Sequence, residues 1–161
     1  MEIRQRSWVA VSEQPIDILL VEDQPHDAEL ALRSLEELEL DRNVRHVRDG
    51  AAALDLLFGP RQNGERPGDV KLDEVPKLIL LDLKLPKISG IEVLKALKSD
   101  ERTQDIPVVV LTSSREVCDI EDAYALGANS YVVKPVDFVE FRETVQRIGT
   151  YWLHTNEPMN G

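Results

Sequence analysis

A repeated alternation of short apolar runs with longer segments of helical periodicity limits this chain to a few folds. The runs at 16–21, 78–81 and 108–111 are four to six residues long and rich in branched side chains, without alternating polar positions. Strands that are buried on both faces show this pattern, because both sides of each strand contact apolar groups. Two weaker strands are predicted at 43–47 and 130–133.

Segments with apolar residues spaced by three and four positions lie between these strands and predict five helices. The predicted helices cover 25–38, a segment after Asp49 as N-cap, a segment from Gly90, 116–126 with Val117, Ile120 and Tyr124 on one side, and a segment after Asp137 with the stripe Phe138, Phe141, Val145, Ile148 and Trp152. Five strand–helix repeats with right-handed crossovers predict an α/β fold with a parallel five-stranded sheet covered on both faces.

Polar side chains follow four of the five predicted strands. Glu22 and Asp23 follow the first strand, Asp82 the third, Thr112 ends the fourth, and Lys134 follows the fifth. Because parallel strands have their carboxyl ends at one edge of the sheet, these side chains are expected to meet there. Ligands of open α/β sheets bind at this edge, where the strand order reverses.

The chemistry of this set points to phosphoryl transfer. Clustered carboxylates repel one another, which raises the pKa of at least one of them unless a cation lies among them. Mg²⁺ prefers oxygen ligands, and an aspartate beside such an ion can accept a phosphoryl group. The ammonium of Lys134 could stabilise the charge of the transferring group, and the hydroxyl of Thr112 could bind one of its oxygens.

The segments that carry these residues resemble the receiver domains of two-component response regulators. They are Leu-Leu-Val-Glu-Asp at 19–23, Leu-Leu-Asp-Leu-Lys-Leu-Pro at 80–86, Leu-Thr-Ser-Ser at 111–114 and Tyr-Val-Val-Lys-Pro at 131–135. The resemblance covers about residues 15–150. It implies the flavodoxin-like (βα)₅ fold with strand order 2-1-3-4-5, and a chain that takes a phosphoryl group from a sensor histidine kinase.

The resemblance also implies a role for each residue at the predicted edge. Asp82 matches the phosphoacceptor, and Lys134 matches the lysine that contacts the phosphoryl group. Asp23 and Asp82 match ligands of Mg²⁺, with Glu22 acting through water and the backbone carbonyl of Lys84 as a further ligand.

Two further residues match the switch by which phosphorylation is signalled in this family. The hydroxyl of Thr112 would move towards the phosphoryl group, and the aromatic ring of Tyr131 would rotate into the space that it leaves. The face formed by the fourth helix, fifth strand and fifth helix would be remodelled. The resemblance implies a cis bond between Lys134 and Pro135, whereas the sequence by itself favours trans.

Little of the chain lies outside the predicted receiver. The predicted boundaries are 1–14 for an N-terminal extension, 15–153 for the receiver with a long loop at 59–76, and 154–161 for a C-terminal tail. This tail is too short for an output domain, so signalling through protein contacts is expected. A homodimer is predicted through the fourth helix, fifth strand, fifth helix and C-terminal segment, with Tyr151 and Trp152 in the interface. The long loop, the Leu-Pro-Lys motif and this aromatic pair resemble stand-alone receivers that serve phytochrome-type sensor histidine kinases.

Composition excludes several other classes of function. There are 19 lysines and arginines against 30 aspartates and glutamates, for a net charge of −11. Such a chain has no general attraction for nucleic acid or an anionic membrane. It contains no apolar stretch long enough to span a membrane and no signal peptide, so the expected location is the cytoplasm.

Two alternatives stay open beside the phosphoacceptor interpretation. Haloacid dehalogenase-type phosphohydrolases need a second acid two residues after the nucleophile, where this chain has Lys84, so an enzyme is not expected beyond self-phosphorylation and slow autodephosphorylation. A pseudo-receiver would keep the fold as a binding module that is never phosphorylated. It would usually lose the acceptor, an acid or the lysine, all of which are present here.

Overall fold

The computed structural model describes residues 16–40, 43–59 and 75–159. The predicted N-terminal extension, most of the predicted loop 59–76 and the last two residues of the predicted tail lie outside these ranges.

A parallel sheet of five strands forms the centre of the described structure. Its strands are β1 (Ile18–Val21), β2 (Val44–Val47), β3 (Leu78–Leu81), β4 (Val108–Thr112) and β5 (Ser130–Val133). All neighbouring strands are parallel, in the order β2-β1-β3-β4-β5. The predicted fold class and strand order are therefore confirmed. The chain crosses from one side of β1 to the other between β2 and β3, which is where the strand order reverses.

Five helices connect and cover these strands. They are α1 (Pro25–Glu37), α2 (Gly50–Phe58), α3 (Gly90–Lys98), α4 (Val117–Ala125) and α5 (Phe138–Thr150), and a π-helical turn at Tyr151–Thr155 follows α5. Local chemistry sets several helix starts: the side chains of Asp49, Ser89 and Asp137 each accept a hydrogen bond from a first-turn backbone N–H. No helix among the described residues is both long and apolar enough to cross a membrane.

Two apolar clusters lie on the two faces of the sheet. Alternate residues of β1 face opposite sides of the sheet. Leu19 and Val21 pack with α2, α3 and α4 on one side. Leu20 packs with α1 and α5 on the other side, where it joins Leu35 and Phe141. All residues of β1, β3 and β4 are buried, as their unbroken apolar sequences predict for strands covered on both sides.

Helices α4 and α5, beside the edge strand β5, are less buried than their apolar periodicity predicts. Only Ala123 is buried in α4, whereas Val117 and Tyr124 are 67% and 50% exposed. Phe138 at the start of α5 is 57% exposed, although Phe141 and Val145 are buried as expected. Helical periodicity identifies the apolar residues of a helix, but the elements packed against it decide which of them are covered.

The peptide bond between Lys134 and Pro135 is trans, since no cis bond occurs in the part of the chain that the structure describes. The cis bond implied by the resemblance is therefore wrong for this structure. A tertiary amide favours trans by about 0.5–1 kcal/mol, and the trans chain continues to Asp137, which caps α5.

Gly90, the first residue of α3, packs against the backbone that follows β3, and its substitution should destabilise the fold. A Cβ at this position would lie 2.2 Å from the carbonyl oxygen of Asp82 and 2.6 Å from Cα of Leu83. Because both are backbone atoms, no side-chain rotation relieves the clash. We expect Gly90→Ala to lower the free energy of unfolding by roughly 1–3 kcal/mol in urea denaturation.

Gly149→Ala is the matched control for Gly90→Ala. A Cβ there would contact only the methyl ends of Leu35 and Leu40, at 2.9 and 3.0 Å, which can move. Alanine also favours the helix over glycine by about 1 kcal/mol. The control should lose clearly less stability, and an equal or greater loss would contradict the backbone clash.

Candidate functional site

Three carboxylates converge at the carboxyl edge of the sheet. Glu22 and Asp23 follow β1, and Asp82 follows the neighbouring strand β3. Each offers an oxygen atom, and these atoms all lie within 4.8 Å of one another. Glu22 and Asp82 are only 4% and 5% exposed. The structure thus brings together the acids that the sequence places at separate strand ends.

Lys134 inserts its ammonium group among these acids from the end of β5. Its backbone N–H donates to the carbonyl oxygen of Thr112, which holds the start of the loop against β4. Its Nζ atom lies 2.6 Å from Oε1 of Glu22, 2.9 Å from Oδ2 of Asp27 and 3.1 Å from Oδ2 of Asp82. Burial lowers the pKa of Lys134, but the hydrogen bond to Glu22 and the charge of Asp82 outweigh it and raise that pKa overall.

The site holds more negative charge than its one ammonium group neutralises. Burial, with the charge of Asp82, raises the pKa of Glu22 to about 7 although the bond from Lys134 opposes this. Oδ1 of Asp23 is buried and, within the described residues, has no hydrogen-bond partner. A buried acceptor without a partner is unfavourable. Oxygen-only donors, surplus negative charge and an unpartnered oxygen together fit a hard divalent cation such as Mg²⁺.

The predicted switch residues meet at one backbone position. Thr112, fully buried, accepts a long hydrogen bond of 3.4 Å at its hydroxyl from the N–H of Ser114. The hydroxyl of Tyr131 donates to the carbonyl oxygen of Ser114 at 3.0 Å. The backbone N–H of Tyr131 donates to the hydroxyl of Tyr124. A shift of Ser114 would therefore move the contacts of both Thr112 and Tyr131.

Lys84 connects the loop after Asp82 to α4. Its backbone N–H lies 3.4 Å from Oδ1 of Asp82, and its exposed side chain lies 3.3 Å from Asp119 in the first turn of α4. Asp119 also accepts a bond from the hydroxyl of Ser114, and this bond and Lys84 lower its pKa. The role of the Lys84 carbonyl as a metal ligand stays a prediction.

Asp27 and Asp119 belong to the site and are absent from the sequence-based set. Both lie in the first turn of a helix that follows a strand, in α1 and α4 respectively. Since such helices begin at the carboxyl edge of the sheet, an acid in the first turn is a usable signal. It is not specific, because Glu92 and Glu140 occupy first turns too.

The predicted interface pair, Tyr151 and Trp152, directly follows the C-terminal end of α5. Tyr151 is 48% exposed and lines a shallow groove with Leu38, which follows α1. Trp152 is partly buried and packs against the apolar cluster beneath α1 and α5. Their rings meet edge to face at 5.1 Å, so Tyr151 is the more exposed member of the pair.

Comparisons with known proteins point to one family. Residues 18–146 match the family model for the response regulator receiver domain. The probable methanogenesis regulatory protein FilR2 of Methanothrix harundinacea (strain 6Ac) is 43% identical over 148 residues, which cover 92% of this chain and 90% of that protein. Response regulator Rcp1 of Synechocystis sp. (strain ATCC 27184 / PCC 6803 / Kazusa) is 39% identical over 89% of this chain and 93% of its own length.

Solved structures show the same likeness. The Mn²⁺-bound form of Rcp1 superposes with a TM-score of 0.76 at 37% identity, covering 89% of this chain and 99% of that one. The phosphorylated cyanobacterial phytochrome response regulator RcpA gives a TM-score of 0.76 at 36% identity, covering 89% of this chain and 98% of that one.

Asp23→Asn should separate the electrostatic cost of the site from its affinity for a cation. The change removes one charge from the cluster and gives the unpartnered oxygen position a possible donor. Without metal, we expect urea denaturation to give the variant a free energy of unfolding about 1 kcal/mol higher than that of the unchanged protein. Mg²⁺ at about ten times its dissociation constant should stabilise the unchanged protein by roughly 1.4 kcal/mol, and the variant far less.

Asp122→Asn is the charge-matched control, because Asp122 is exposed on α4. It should respond to Mg²⁺ as the unchanged protein does. Equal stabilisation of Asp23→Asn by Mg²⁺ would contradict a cation site at Asp23.

Proposed function

The chain belongs to the response regulator receiver family, and we propose on this basis that it accepts a phosphoryl group on Asp82 from a sensor histidine kinase. The observation that carries the proposal is the position of Asp82, whose Oδ2 lies 3.1 Å from the Lys134 ammonium inside the carboxylate cluster. A nucleophilic carboxylate beside a cationic group is what an aspartyl phosphate requires.

The transfer is a displacement at phosphorus. An oxygen of Asp82 forms the new O–P bond, the P–N bond of the donor phosphohistidine breaks, and its electron pair stays on the imidazole nitrogen, which takes up a proton from solvent. Lys134 places positive charge where the phosphoryl oxygens carry negative charge. The two contacts of the carboxylate, Oδ2 with Lys134 and Oδ1 with the Lys84 N–H, orient it at the end of β3.

Mg²⁺ is the proposed cofactor. Asp23 and Asp82 would hold it directly, with Glu22 through water and the Lys84 carbonyl as a further ligand. When bound, the ion would offset the carboxylate charge and polarise the phosphoryl group. Support comes from the unpartnered oxygen of Asp23 and from the related structure of Rcp1, which is described as Mn²⁺-bound.

We further propose that Thr112 and Tyr131 report phosphorylation. A phosphoryl group adds charge and acceptor oxygens, and a Thr112 hydroxyl that turned towards them would give up its contact with Ser114. Tyr131 binds the carbonyl of Ser114, so its ring would respond to the same shift. The consequence would reach the surface formed by α4, β5 and α5.

A phytochrome-type sensor histidine kinase is the proposed donor. The support is the similarity to RcpA, which is described as a phytochrome response regulator. A pseudo-receiver that only binds a partner is the less favoured alternative, because the acids and Lys134 are in mutual contact.

Phosphorylation of Asp82 can be measured by intact mass after incubation with acetyl phosphate and Mg²⁺. The unchanged protein should gain one phosphoryl group, because Asp82 lies beside Lys134 and the proposed metal ligands. Asp82→Asn should gain none, and EDTA should prevent the gain in the unchanged protein. Asp122→Asn serves as the charge-matched control and should be labelled normally. Equal labelling of Asp82→Asn would contradict the assigned acceptor.

We also propose a homodimer that uses the α4–β5–α5 surface and the C-terminal segment. β5 is an edge strand, and the helices beside it expose large apolar side chains. The exposed residues on α4, on α5 and in the turn after α5 include Val117, Tyr124, Phe138, Val139 and Tyr151. Exposed apolar patches mark contact surfaces more often than they occur by chance.

Sedimentation over a range of concentrations measures this dimer. The unchanged protein should dimerise with concentration, and Val117→Asp or Tyr151→Asp should shift it to monomer by placing charge in an apolar contact. Arg45→Asp is the control, because Arg45 is exposed on β2 at the opposite edge of the sheet. A monomer at every concentration, with and without phosphorylation, would contradict the proposal.

A further inference from the structure

Asp27 is a third carboxylate on Lys134 that the proposed phosphoryl transfer leaves without a role. It lies in the first turn of α1, and its Oδ2 is 2.9 Å from Nζ of Lys134. Its side chain is 31% exposed, against 4% for Glu22 and 6% for Asp82. The contact therefore forms the outer, solvent-facing side of the environment around the ammonium group.

The ammonium group of Lys134 has no donor to spare. A lysine ammonium carries three N–H donors and no acceptor. Three carboxylates, from Glu22, Asp27 and Asp82, lie 2.6, 2.9 and 3.1 Å from Nζ. To bind an incoming phosphoryl oxygen, Lys134 must release at least one of these carboxylates.

The three carboxylates differ in what else they are needed for. Glu22 and Asp82 belong with Asp23 to the group of acids that could hold a cation, and Asp82 is the proposed nucleophile. Asp27 lies outside that group. Its Oδ1 atom lies 3.9 Å from Nδ1 of His26, whose ring is strongly exposed. Asp27 is therefore the one carboxylate that can stay on Lys134 while the other two change partners.

The start of α1 holds Asp27 in a defined place. Pro25 occupies the first helical turn, the N–H of Ala28 donates to the carbonyl of Gln24, and Ala28 and Ala31 are buried against the sheet. A carboxylate on this anchored turn can act as a fixed partner, whereas a carboxylate on a mobile loop could not.

We propose that Asp27 is a positioning residue that keeps the Lys134 ammonium at the mouth of the site while Glu22 and Asp82 exchange partners during phosphoryl transfer. The inference rests on Asp82 being the phosphoacceptor. Asp27 acts through Lys134 and does not itself touch the reacting atoms.

The kinetic test compares Asp27→Asn with Glu29→Gln, a change on the same helix that removes the same charge. Glu29 pairs with the exposed Arg33 and is not one of the three carboxylates that contact Lys134. With acetyl phosphate and Mg²⁺ in excess, we expect Asp27→Asn to be phosphorylated about tenfold more slowly and Glu29→Gln at the unchanged rate. Asp27→Glu, which restores the charge, should recover part of the loss.

A second measurement follows Lys134 itself, by ¹⁵N-detected NMR of lysine ammonium groups in metal-free protein. Three close carboxylate contacts should slow proton exchange enough for the Lys134 signal to be seen at neutral pH. Asp27→Asn should broaden it beyond detection, and Glu29→Gln should leave it unchanged. A purely structural role for Asp27 would not act on this one signal.

The outcomes separate this inference from the proposed function. Loss of the ammonium signal and slower phosphorylation in Asp27→Asn, with full labelling of Glu29→Gln, support positioning by Asp27. An unchanged signal, or a rate within twofold of the unchanged protein, overturns it while leaving Asp82 as acceptor. Absence of labelling in every protein, including the unchanged one, overturns the phosphoacceptor and with it the role of Asp27.

Discussion

The contact of one buried ammonium with three carboxylates is the interaction around which this molecule is organised. Lys134 comes from β5 and reaches past β4 to Asp82 after β3, to Glu22 after β1 and to Asp27 in α1. A single side chain thus links three strands and a helix at one edge of the sheet. Removing Lys134 would leave the buried carboxylates of Glu22 and Asp82 without their cationic partner, which proteins tolerate poorly.

The fold supplies the rigidity that this charged cluster lacks. β1, β3 and β4 are buried along their whole length between two apolar clusters. The loop after β3 packs closely against the start of α3, and its backbone leaves no room for a side chain at Gly90. The apolar sheet therefore holds acids together that would otherwise separate by repulsion, and the resulting surplus of negative charge is available for binding a cation.

The same edge is connected to the surface by polar contacts. Lys84 follows the acidic strand end and pairs with Asp119 on α4, which binds Ser114, whose carbonyl accepts from Tyr131. This chain of contacts offers a physical route from Asp82 to the α4–β5–α5 surface. Several apolar side chains of that surface are exposed, as Val117 and Tyr124 show.

The sequence by itself determined the fold class, the strand order through its resemblance, and the convergence of Glu22, Asp23, Asp82 and Lys134. Apolar runs mark buried parallel strands, and the carboxyl ends of such strands share one edge. Only the tertiary structure decided which carboxylates touch Lys134. Asp27 lies in the first turn of α1 and not at a strand end, and the sequence does not distinguish it from first-turn acids such as Glu92 and Glu140. The tertiary structure also decided the exposure of α4, because helical periodicity does not show which residues of a helix another element covers.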